Sequence, residues 1–415
     1  MNDHRRLRIA IDCRISNIQQ GHGRAIPALA SSLSGSDDAG QEYTFIVNDE
    51  FKEWLRPYIF GPCQLMIVPM TGTSRLKRVA RKLVPFSELR GAIRKKLPAP
   101  ISDGRIESEN FDLVHFPTQT AYRTSLPSIY QPWDLQHRHY PQFFTKAECD
   151  LRERWYRLYC EQATFVCVQT HWTKEDVVRS YELASEKVVV IPWGTMFDVN
   201  ETSLQGPNRN VLDRHHLPEK FFFYPAVTWP HKNHDVIIRA LHLLKTQYGR
   251  RMEVCFTGAS TDYRSTLDAM ALNLGVADQL HYLGFVPAEE LRSLFACAIA
   301  MIFPSKFEGF GMPILEAFHA RLPVLSSKTT VLPEVAQDGA AYFDPDSPSE
   351  LAALMTKVLE NAAFREELVE RGSATLAFFS MKETAARFQK LYKRTAAQGI
   401  NARVPAARRT ERAER

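Results

Sequence analysis

Two carboxylates and two glycines lie within one short segment of this chain. Glu308 and Glu316 bracket seven residues, and Gly309 and Gly311 are among them. Because glycine has no Cβ, the backbone at these two positions can approach a ligand closely. A carboxylate is a poor partner for phosphate, but it accepts hydrogen bonds from both hydroxyls of a vicinal diol. The segment therefore has the groups that a diol-bearing ligand requires.

The elements predicted around this segment would place an anion beside the carboxylates. The apolar run 298–303 predicts a buried parallel strand, and Pro313 suits the first turn of a helix that continues to Leu322. A strand, a glycine-containing loop and a helix start direct backbone N–H groups and the positive helix end at one point, which suits a phosphate. Diols together with phosphate describe a nucleotide sugar. An ordinary strand–helix turn is the alternative that the spacing alone leaves open.

A second strand–loop–helix segment carries Lys232. Residues 221–225 predict a strand, and a helix with an apolar face follows from Val236 to Leu244. Lys232 lies close to the start of that helix, where the helix dipole disfavours a cation. This conflict makes sense if Lys232 points at a bound diphosphate. A solvated lysine is the alternative.

Length and composition limit the class of protein. At 415 residues the chain exceeds the ~250–300 residues of a single core, so two domains are expected. A hydrophobic content of 45%, a charged content of 24% and a net charge of +5 are typical of a soluble globular protein. The seven cysteines include no CxxC pair, which argues against disulfide and zinc frameworks and favours a reducing cytosol. We expect no signal peptide, and no membrane span, because no run approaches ~18 apolar residues.

Strand candidates alternate with helix-length segments along the chain, which predicts an α/β protein with parallel sheets covered on both faces. The strand candidates are Leu7–Cys13, Tyr43–Val47, Leu65–Val68, Leu113–Phe116, Ile129–Trp133, Phe165–Val168, Val188–Ile191, Phe221–Pro225, Met252–Thr257, Leu280–Leu283, Ile299–Phe303 and Pro323–Leu325. The alternation breaks near residue 192 and in the polar stretch Asn200–Asn210. We therefore expect two doubly wound halves, and because ligands bind at the carboxyl ends of such strands, two facing halves would enclose a cleft.

Three weaker motifs do not support a metal or cofactor site. Gly21-His22-Gly23-Arg24 resembles half of a dinucleotide fingerprint but lacks its third glycine, so we predict no nicotinamide site. Asp344-Pro345-Asp346 spells a DxD metal motif, but it precedes a helix start rich in capping residues, which predicts a turn. His215-His216 does not form part of a recognisable metal-ligand motif. We predict no metal and no cofactor.

The C-terminal third resembles one enzyme family. The strings that carry the resemblance are Leu283-Gly284-Phe285, Glu290-Leu291, Phe303-Pro304-Ser305, Glu308–Ala317 and Leu332-Pro333-Glu334. They are similar to the signature of the retaining family-four glycosyltransferases, the glycosyl transferases group one, and the match extends over roughly residues 1–395. The resemblance implies a GT-B fold, with Rossmann-like domains over 1–192 and 193–378 and a helix over 379–396 that returns to the first domain. For residues 397–415 we expect a disordered basic tail.

The resemblance implies a role for each matching donor-site residue. Glu316 would hold the ribose hydroxyls of the nucleotide, and Glu308 would contact hydroxyls of the transferred sugar. The backbone amides of Gly309, Phe310 and Gly311 would meet the sugar and the diphosphate.

Residues outside the signature complete the implied site. Lys232 would neutralise the leaving diphosphate, Thr228 and Trp229 would line the same loop, and Gly23 corresponds to the glycine loop of the first domain. In this family the sugar keeps its anomeric configuration, through same-face attack in which a phosphate oxygen of the leaving group takes the acceptor proton. Such a reaction needs charge stabilisation, which a lysine and helix amides supply.

One position departs from the family pattern. Relatives carry His-Asp-Leu after a first-domain strand, with the histidine contacting the donor sugar, whereas this chain has Trp133-Asp134-Leu135. Tryptophan can stack on a sugar and donate one N–H, but it cannot titrate. Changed donor specificity, compensation by His137 or His139, and impaired turnover are the three interpretations. Asp134 joins the catalytic candidates, and Trp133 and His137 join the substrate-binding ones.

The stretch Arg75–Lys96 is basic and amphipathic. Lysines and arginines alternate there with apolar residues, and Glu88 is its one acid. This pattern is typical of a solvated helix or of a helix lying on anionic lipid. Relatives that act on lipid-linked acceptors use a basic surface of the first domain in this way, which favours the membrane. Nucleic acid is not expected, because no recognition motif accompanies the charge.

We therefore predict a retaining, metal-independent hexosyltransferase, with Glu308, Lys232 and Asp134 as catalytic candidates. GDP-mannose is the first choice of donor, because residues 228–234 resemble those of mannosyltransferase relatives, and UDP-sugars are the second. The expected acceptor is a cell-surface polysaccharide, such as lipopolysaccharide, or a lipid-linked glycan. The expected location is the cytoplasm, peripheral to the inner face of the plasma membrane. The alternatives are a GT-B sugar-nucleotide epimerase, or a nucleotide-sugar-binding pseudo-enzyme that partners another transferase.

Overall fold

The computed structural model describes residues 5–15, 22–36, 38, 40–69, 98–195 and 209–403, with the backbone alone for residues 22 and 400–403. The predictions for Arg75–Lys96, for most of the polar linker and for residues 404–415 lie outside this part of the chain. Contacts divide the chain into two compact units. The N-terminal unit comprises residues up to Val199 together with those from Met381 onwards, and the C-terminal unit comprises Asn200–Ser380.

Within the described residues, the N-terminal unit contains a seven-stranded parallel sheet with the order β3-β2-β1-β4-β5-β6-β7. Its strands are β1 (Leu7–Asp12), β2 (Gln41–Asn48), β3 (Cys63–Val68), β4 (Leu113–Phe116), β5 (Ser128–Tyr130), β6 (Phe165–Val168) and β7 (Val188–Val190). The central strands β4, β5 and β6 are buried along their whole length. Continuous burial explains why they are continuous apolar runs in the sequence.

Helices connect these strands and cover the sheet. They are α1 (His22–Ser34), α2 (Lys52–Leu55), α3 (Arg105–Ser108), α4 (Gln136–His139), α5 (Lys146–Gln162) and α6 (His171–Tyr181). Helix α5 starts with a capping box, in which the Thr145 side chain accepts from the Glu148 amide and the Glu148 side chain accepts from the Thr145 amide.

The described part of the C-terminal unit contains a six-stranded parallel sheet with the order β10-β9-β8-β11-β12-β13. Its strands are β8 (Phe221–Pro225), β9 (Glu253–Thr257), β10 (Leu280–Tyr282), β11 (Ala300–Phe303), β12 (Val324–Ser327) and β13 (Ala340–Phe343). Its helices are α7 (Asn210–Arg214), α8 (His234–Gln247), α9 (Arg264–Asn273), α10 (Ala288–Cys297), α11 (Met312–His319), α12 (Leu332–Ala336), α13 (Pro348–Glu360) and α14 (Ala362–Leu376).

The predicted α/β class, with two doubly wound parallel sheets, is confirmed. All twelve predicted strands are present, with ends that differ by a few residues. The predicted strand Ile129–Trp133 already ends at Tyr130, because Pro132 has no N–H for the sheet and Trp133 turns to φ +66°. Strand β13 was not predicted.

The last helix, α15 (Met381–Arg403), belongs to the N-terminal unit. It contacts α1, β1 and β4. Its Tyr392 hydroxyl lies 2.9 Å from His115 Nδ1, and the Thr384 hydroxyl donates to Pro192 O at 2.8 Å. The helix runs past residue 396, where the sequence predicted that it ends. None of the helices in the described residues is long and apolar enough to cross a membrane.

Candidate functional site

The candidate site of the C-terminal unit lies at the carboxyl ends of β8 and β11. These strands are adjacent and parallel, with Met301 paired to Phe223. The loop after β8 leads to Lys232 and the loop after β11 leads to Glu308, so the sheet order brings the two predicted motifs side by side. The Lys306 amide donates to His231 O at 2.8 Å and ties the loops together. Ligands of doubly wound sheets bind at this edge.

Lys232 and Glu308 form an ion pair. Lys232 Nζ donates to Glu308 Oε1 at 2.6 Å, and the side chains are 21% and 12% exposed. Sequence analysis predicted both residues at the site but not this contact. The ammonium retains two N–H donors and the carboxylate a second oxygen, so the pair can still meet an anion on one side and hydroxyl groups on the other.

Gly311 shapes the start of α11 as predicted. Its φ is +98°, where other residues are strained, and a Cβ at this position would lie 3.0 Å from Leu332 Cδ2, so glycine is favoured here. It caps α11, and Pro313 occupies the first turn. First-turn amides have no intrahelical acceptor one turn back, and together with the helix dipole they favour an anion at this point.

The other signature residues differ in how much of them a ligand can reach. Glu316 lies on α11 and is 1% exposed, so ribose hydroxyls would have to enter the interior to meet it. The Phe310 ring is buried and lies edge-on to Phe379 at 6.0 Å, which leaves its backbone for the predicted contact. Gly309 is half-buried in the loop.

Thr228 and Trp229 have opposite environments. The Thr228 hydroxyl is buried and accepts from the Thr261 amide at 2.8 Å, while the Thr261 hydroxyl donates to Thr228 O at 2.6 Å. The Trp229 side chain is 51% exposed and open to a ligand. Gly258 was not predicted. Its φ is +115°, and a Cβ there would lie 2.9 Å from the Ala226 backbone, so it allows the loops after β8 and β9 to touch.

Tyr224 supports the Lys232 turn, and two histidines adjoin that turn; sequence analysis assigned no role to any of the three. The Tyr224 hydroxyl donates to Lys232 O at 2.9 Å and lies 3.0 Å from Ser305 Oγ. Burial lowers the pKa of His231 to about 2 and that of His234 to about 3, so both are neutral near pH 7. Lys232 is therefore the cationic side chain of its own turn. The only sequence signal for these residues was their position next to a strand end.

The DxD motif forms the predicted turn. Asp344 Oδ1 accepts from the Asp346 amide at 2.8 Å, Asp346 forms an ion pair with Lys306, and the Ser347 side chain caps α13. Over the described residues, no group of three or more acidic, histidine or cysteine side chains is placed to hold a metal ion.

In the N-terminal unit, Trp133 packs inward. Its indole Nε1 donates to Pro117 O at 2.8 Å, and its ring centroid lies 5.5 Å from that of the buried Trp193. The N–H that was considered for a sugar hydroxyl is thus engaged with the backbone. Asp134 follows, and its Oδ1 accepts from the Gln136 amide at 3.0 Å in a turn before α4.

His137 and Gly23 lie in regular structure. The His137 ring is buried against Tyr156, with centroids 5.4 Å apart, and burial lowers its pKa to about 3. Gly23 was expected in a loop, but it is the second residue of α1, and its carbonyl accepts from Trp54 Nε1 at 2.9 Å. The roles of both residues towards a substrate stay predictions.

Comparison with known proteins supports the motif interpretation. Residues 212–375 match the family described as glycosyl transferases group 1. The match covers most of the C-terminal unit, including the Lys232 turn, the Glu308 loop and helix α11, and it confirms the resemblance inferred from the motifs.

Curated proteins to which this chain is similar include bacterial mannosyltransferases. The O-antigen chain mannosyltransferase B of Escherichia coli is 26% identical over 258 residues, which are 61% of this chain and 66% of the relative. The O-antigen chain mannosyltransferase RfbU of Salmonella typhimurium is 30% identical over 181 residues, which are 44% and 47% of the two chains. The chain thus spans less than two thirds of the length of each of these relatives.

Solved structures with the same fold match almost the whole chain. Anabaena Alr3699/HepE in complex with UDP-glucose has a TM-score of 0.70 at 16% identity, and covers 93% of this chain and 99% of its own. WaaG, a glycosyltransferase involved in lipopolysaccharide biosynthesis, has a TM-score of 0.65 at 15% identity and covers 92% and 99%. At these identities the likeness shows the fold alone, which is that of GT-B glycosyltransferases.

Proposed function

We propose that this protein is a glycosyltransferase that moves a hexose from a nucleotide sugar to a glycan or lipid-linked acceptor. The observation that carries the proposal is the Lys232–Glu308 pair, 2.6 Å apart, at the carboxyl ends of two adjacent parallel strands. The pair supports the proposal because a cation would suit a diphosphate, a carboxylate would suit sugar hydroxyls, and such sheets bind ligands at this edge. The mannosyltransferase relatives support the same proposal.

The C-terminal unit would bind the donor. Lys232 and the first-turn amides of α11 would hold the diphosphate, and Glu308 with the amides of Gly309, Phe310 and Gly311 would hold the sugar. Glu316 would accept from the ribose hydroxyls. In this arrangement positive groups meet the phosphates and carboxylates meet the diols, which is the assignment that hydrogen-bonding capacity favours.

The chemical step needs charge stabilisation. As the glycosidic C–O bond breaks, negative charge grows on the leaving phosphate oxygen and positive charge grows on the sugar. Lys232 would stabilise the first and Glu308 the second. The acceptor hydroxyl would attack on the face that the diphosphate leaves, and its proton would pass to a phosphate oxygen, so the anomeric configuration is retained.

The reaction would not need a metal ion. The DxD aspartates are engaged in a turn, and one of them, Asp346, is paired with Lys306. We expect transfer to continue in EDTA, and an Asp346→Asn variant to keep its turnover. Loss of activity in EDTA that Mn²⁺ restores would contradict this.

GDP-mannose is the proposed donor and UDP-glucose is the second candidate. A thermal-shift screen of the full chain with both compounds, GDP and UDP tests the choice. A ligand at 100 times its Kd stabilises the native state by about 2.7 kcal/mol. If none of the four raises the unfolding temperature, the proposed donor class is wrong.

The acceptor would be reached at an anionic membrane surface through Arg75–Lys96. Replacing Arg78, Arg81 and Lys82 by glutamate should abolish sedimentation with anionic vesicles, and added salt should have the same effect. Equal binding to neutral and anionic vesicles would contradict the electrostatic role.

A second candidate function is nucleotide-sugar binding without turnover. Trp133 favours it, because its indole N–H is engaged with Pro117 O. The family resemblance also implies that Trp133 stands in place of a histidine that contacts the donor sugar. Release of GDP or UDP from the sugar nucleotide distinguishes the two functions. A protein that binds donor but never releases diphosphate, with or without acceptor glycan, is the second candidate.

A further inference from the structure

Asn233 follows Lys232 and precedes α8 in a left-handed backbone conformation, with φ 59° and ψ 41°. Asparagine tolerates this region better than most residues, and glycine adopts it at no steric cost. The asparagine side chain is 1% exposed. A buried amide at this position has to find hydrogen-bond partners.

The Asn233 amide joins three segments. Its Nδ2 donates to Pro304 O at 3.0 Å and to Pro345 O at 2.7 Å. Pro304 begins the loop that carries Glu308, and Pro345 is the middle residue of the DxD turn. Both N–H donors of the amide are used, and a carboxylate of the same size could make neither bond.

These bonds fix the two loops at the ion pair. Two further hydrogen bonds hold the same loops: the Lys306 amide donates to His231 O, and the Tyr224 hydroxyl donates to Lys232 O. We propose that Asn233 is a positioning residue, whose amide holds the Lys232 ammonium beside the Glu308 carboxylate in the geometry that the leaving diphosphate needs. This inference rests on the proposed function. It also gives the DxD turn a structural task, since the turn presents the Pro345 carbonyl to Asn233.

Two variants and a matched control test the proposal. Asn233→Gly keeps the backbone conformation and removes both bonds, and Asn233→Asp keeps the size but places a carboxylate against two carbonyls. The control is Asn110→Gly, at an exposed asparagine with φ 57° in the other unit. GDP and UDP release from GDP-mannose and UDP-glucose is measured, together with GDP and UDP affinity and the unfolding midpoint.

We expect Asn233→Gly to lower kcat by about 10- to 100-fold. A shift of about 1 Å in the position of a group that stabilises the transition state has effects of this size. Nucleotide affinity should fall less, and Asn110→Gly should match the wild type. If Asn233→Asp does not fold, Asn233→Gly decides. An unchanged kcat in Asn233→Gly overturns the proposal.

A double-mutant cycle separates positioning from general structural damage. In a Lys232→Ala background, Asn233→Gly should cause no further loss of turnover, because the group that it positions is gone. An equal factor in both backgrounds would show a merely structural role and overturn the proposal.

If Lys232→Ala alone changes neither turnover nor nucleotide affinity, or the wild type binds neither GDP nor UDP, the proposed function is wrong, and the inference is wrong with it. If Lys232→Ala is impaired and Asn233→Gly is not, the inference alone falls.

Discussion

Replacing Glu308 by glutamine should tighten nucleotide binding and weaken catalysis at the same time. In the wild type the Lys232 ammonium is held by the Glu308 carboxylate at 2.6 Å. In the proposed function, a diphosphate would have to compete for that ammonium. Glutamine keeps the shape of the side chain but removes its charge, so the ammonium is freed for the phosphate, while the carboxylate that would stabilise positive charge on the sugar is lost.

The size of the effect follows from the geometry of the pair. A hydrogen bond to a charged group contributes about 1.5–3 kcal/mol net. The lysine ammonium has two further N–H donors, so a phosphate gains part of this hydrogen-bond free energy even in the wild type. We expect Glu308→Gln to bind GDP or UDP about 1–2 kcal/mol more tightly, or about five- to thirtyfold. Turnover should fall by about a hundredfold, as for the loss of one preorganised charge-stabilising group.

Calorimetry with GDP and UDP measures the binding, and nucleotide release from the sugar nucleotide measures turnover. The control is Glu290→Gln. Glu290 lies on α10, is similarly shielded at 16% exposed and is paired with Arg214 and His215, but it does not adjoin the Lys232 turn. Glu290→Gln should change neither nucleotide affinity nor turnover. Unchanged or weaker GDP and UDP binding in Glu308→Gln would refute the reasoning that the pair restrains Lys232.

Three further predictions concern single residues. Glu316→Ala should weaken GDP or UDP binding by about 1.5–3 kcal/mol, since it removes a charged acceptor for ribose; unchanged affinity by calorimetry would rule out that role. Trp133→Gly should be about 1 kcal/mol more stable to urea than Trp133→Ala, because only glycine relieves the φ of +66° while both lose the bond to Pro117; an alanine variant of equal or greater stability would count against strain. Burial lowers the pKa of His115 to about 3, so the unfolded chain, with a histidine pKa near 6.5, takes up the proton first as the pH falls. Stability should therefore decline from about pH 6.5 towards pH 3, by up to about 1.4 kcal/mol per pH unit from this residue. His115→Gln should show a shallower slope in urea unfolding between pH 4 and 7, and equal slopes would contradict the assignment.

Several features could be predicted from the sequence because their signals are local. Buried parallel strands are apolar runs, and the start of α11 is marked by Gly311 and Pro313, so element type and order could be predicted without contacts. Lys232 could be predicted as a site residue because a cation at a helix start is locally unfavourable. The Glu308 segment could be predicted as a ligand site because carboxylates beside glycines suit a diol-bearing ligand. Each of these arguments used one continuous stretch of the chain.

Other features had no local signal. Trp133 was considered as a sugar contact, but its indole faces Trp193 and Pro117, and nothing near it in the sequence indicates either partner. Gly23 was placed in a loop because helix ends are poorly marked when no capping residue precedes them. His137 is polar by type, yet it is buried beside Tyr156, which depends on how α4 packs on α5.

The sequence by itself determined which residue types are available at each strand end and that the chain builds two parallel α/β units, because hydrophobic period and helix-start residues act over one element. Only the tertiary structure decided that Lys232 and Glu308 pair, that Asn233 ties their loops to the DxD turn, and that Thr228 is used by Thr261. The reason is the order of the sheet. Strand β11 lies next to β8 although β9 and β10 intervene in the chain, so groups far apart in sequence meet at one edge. That order is set by the packing of whole elements.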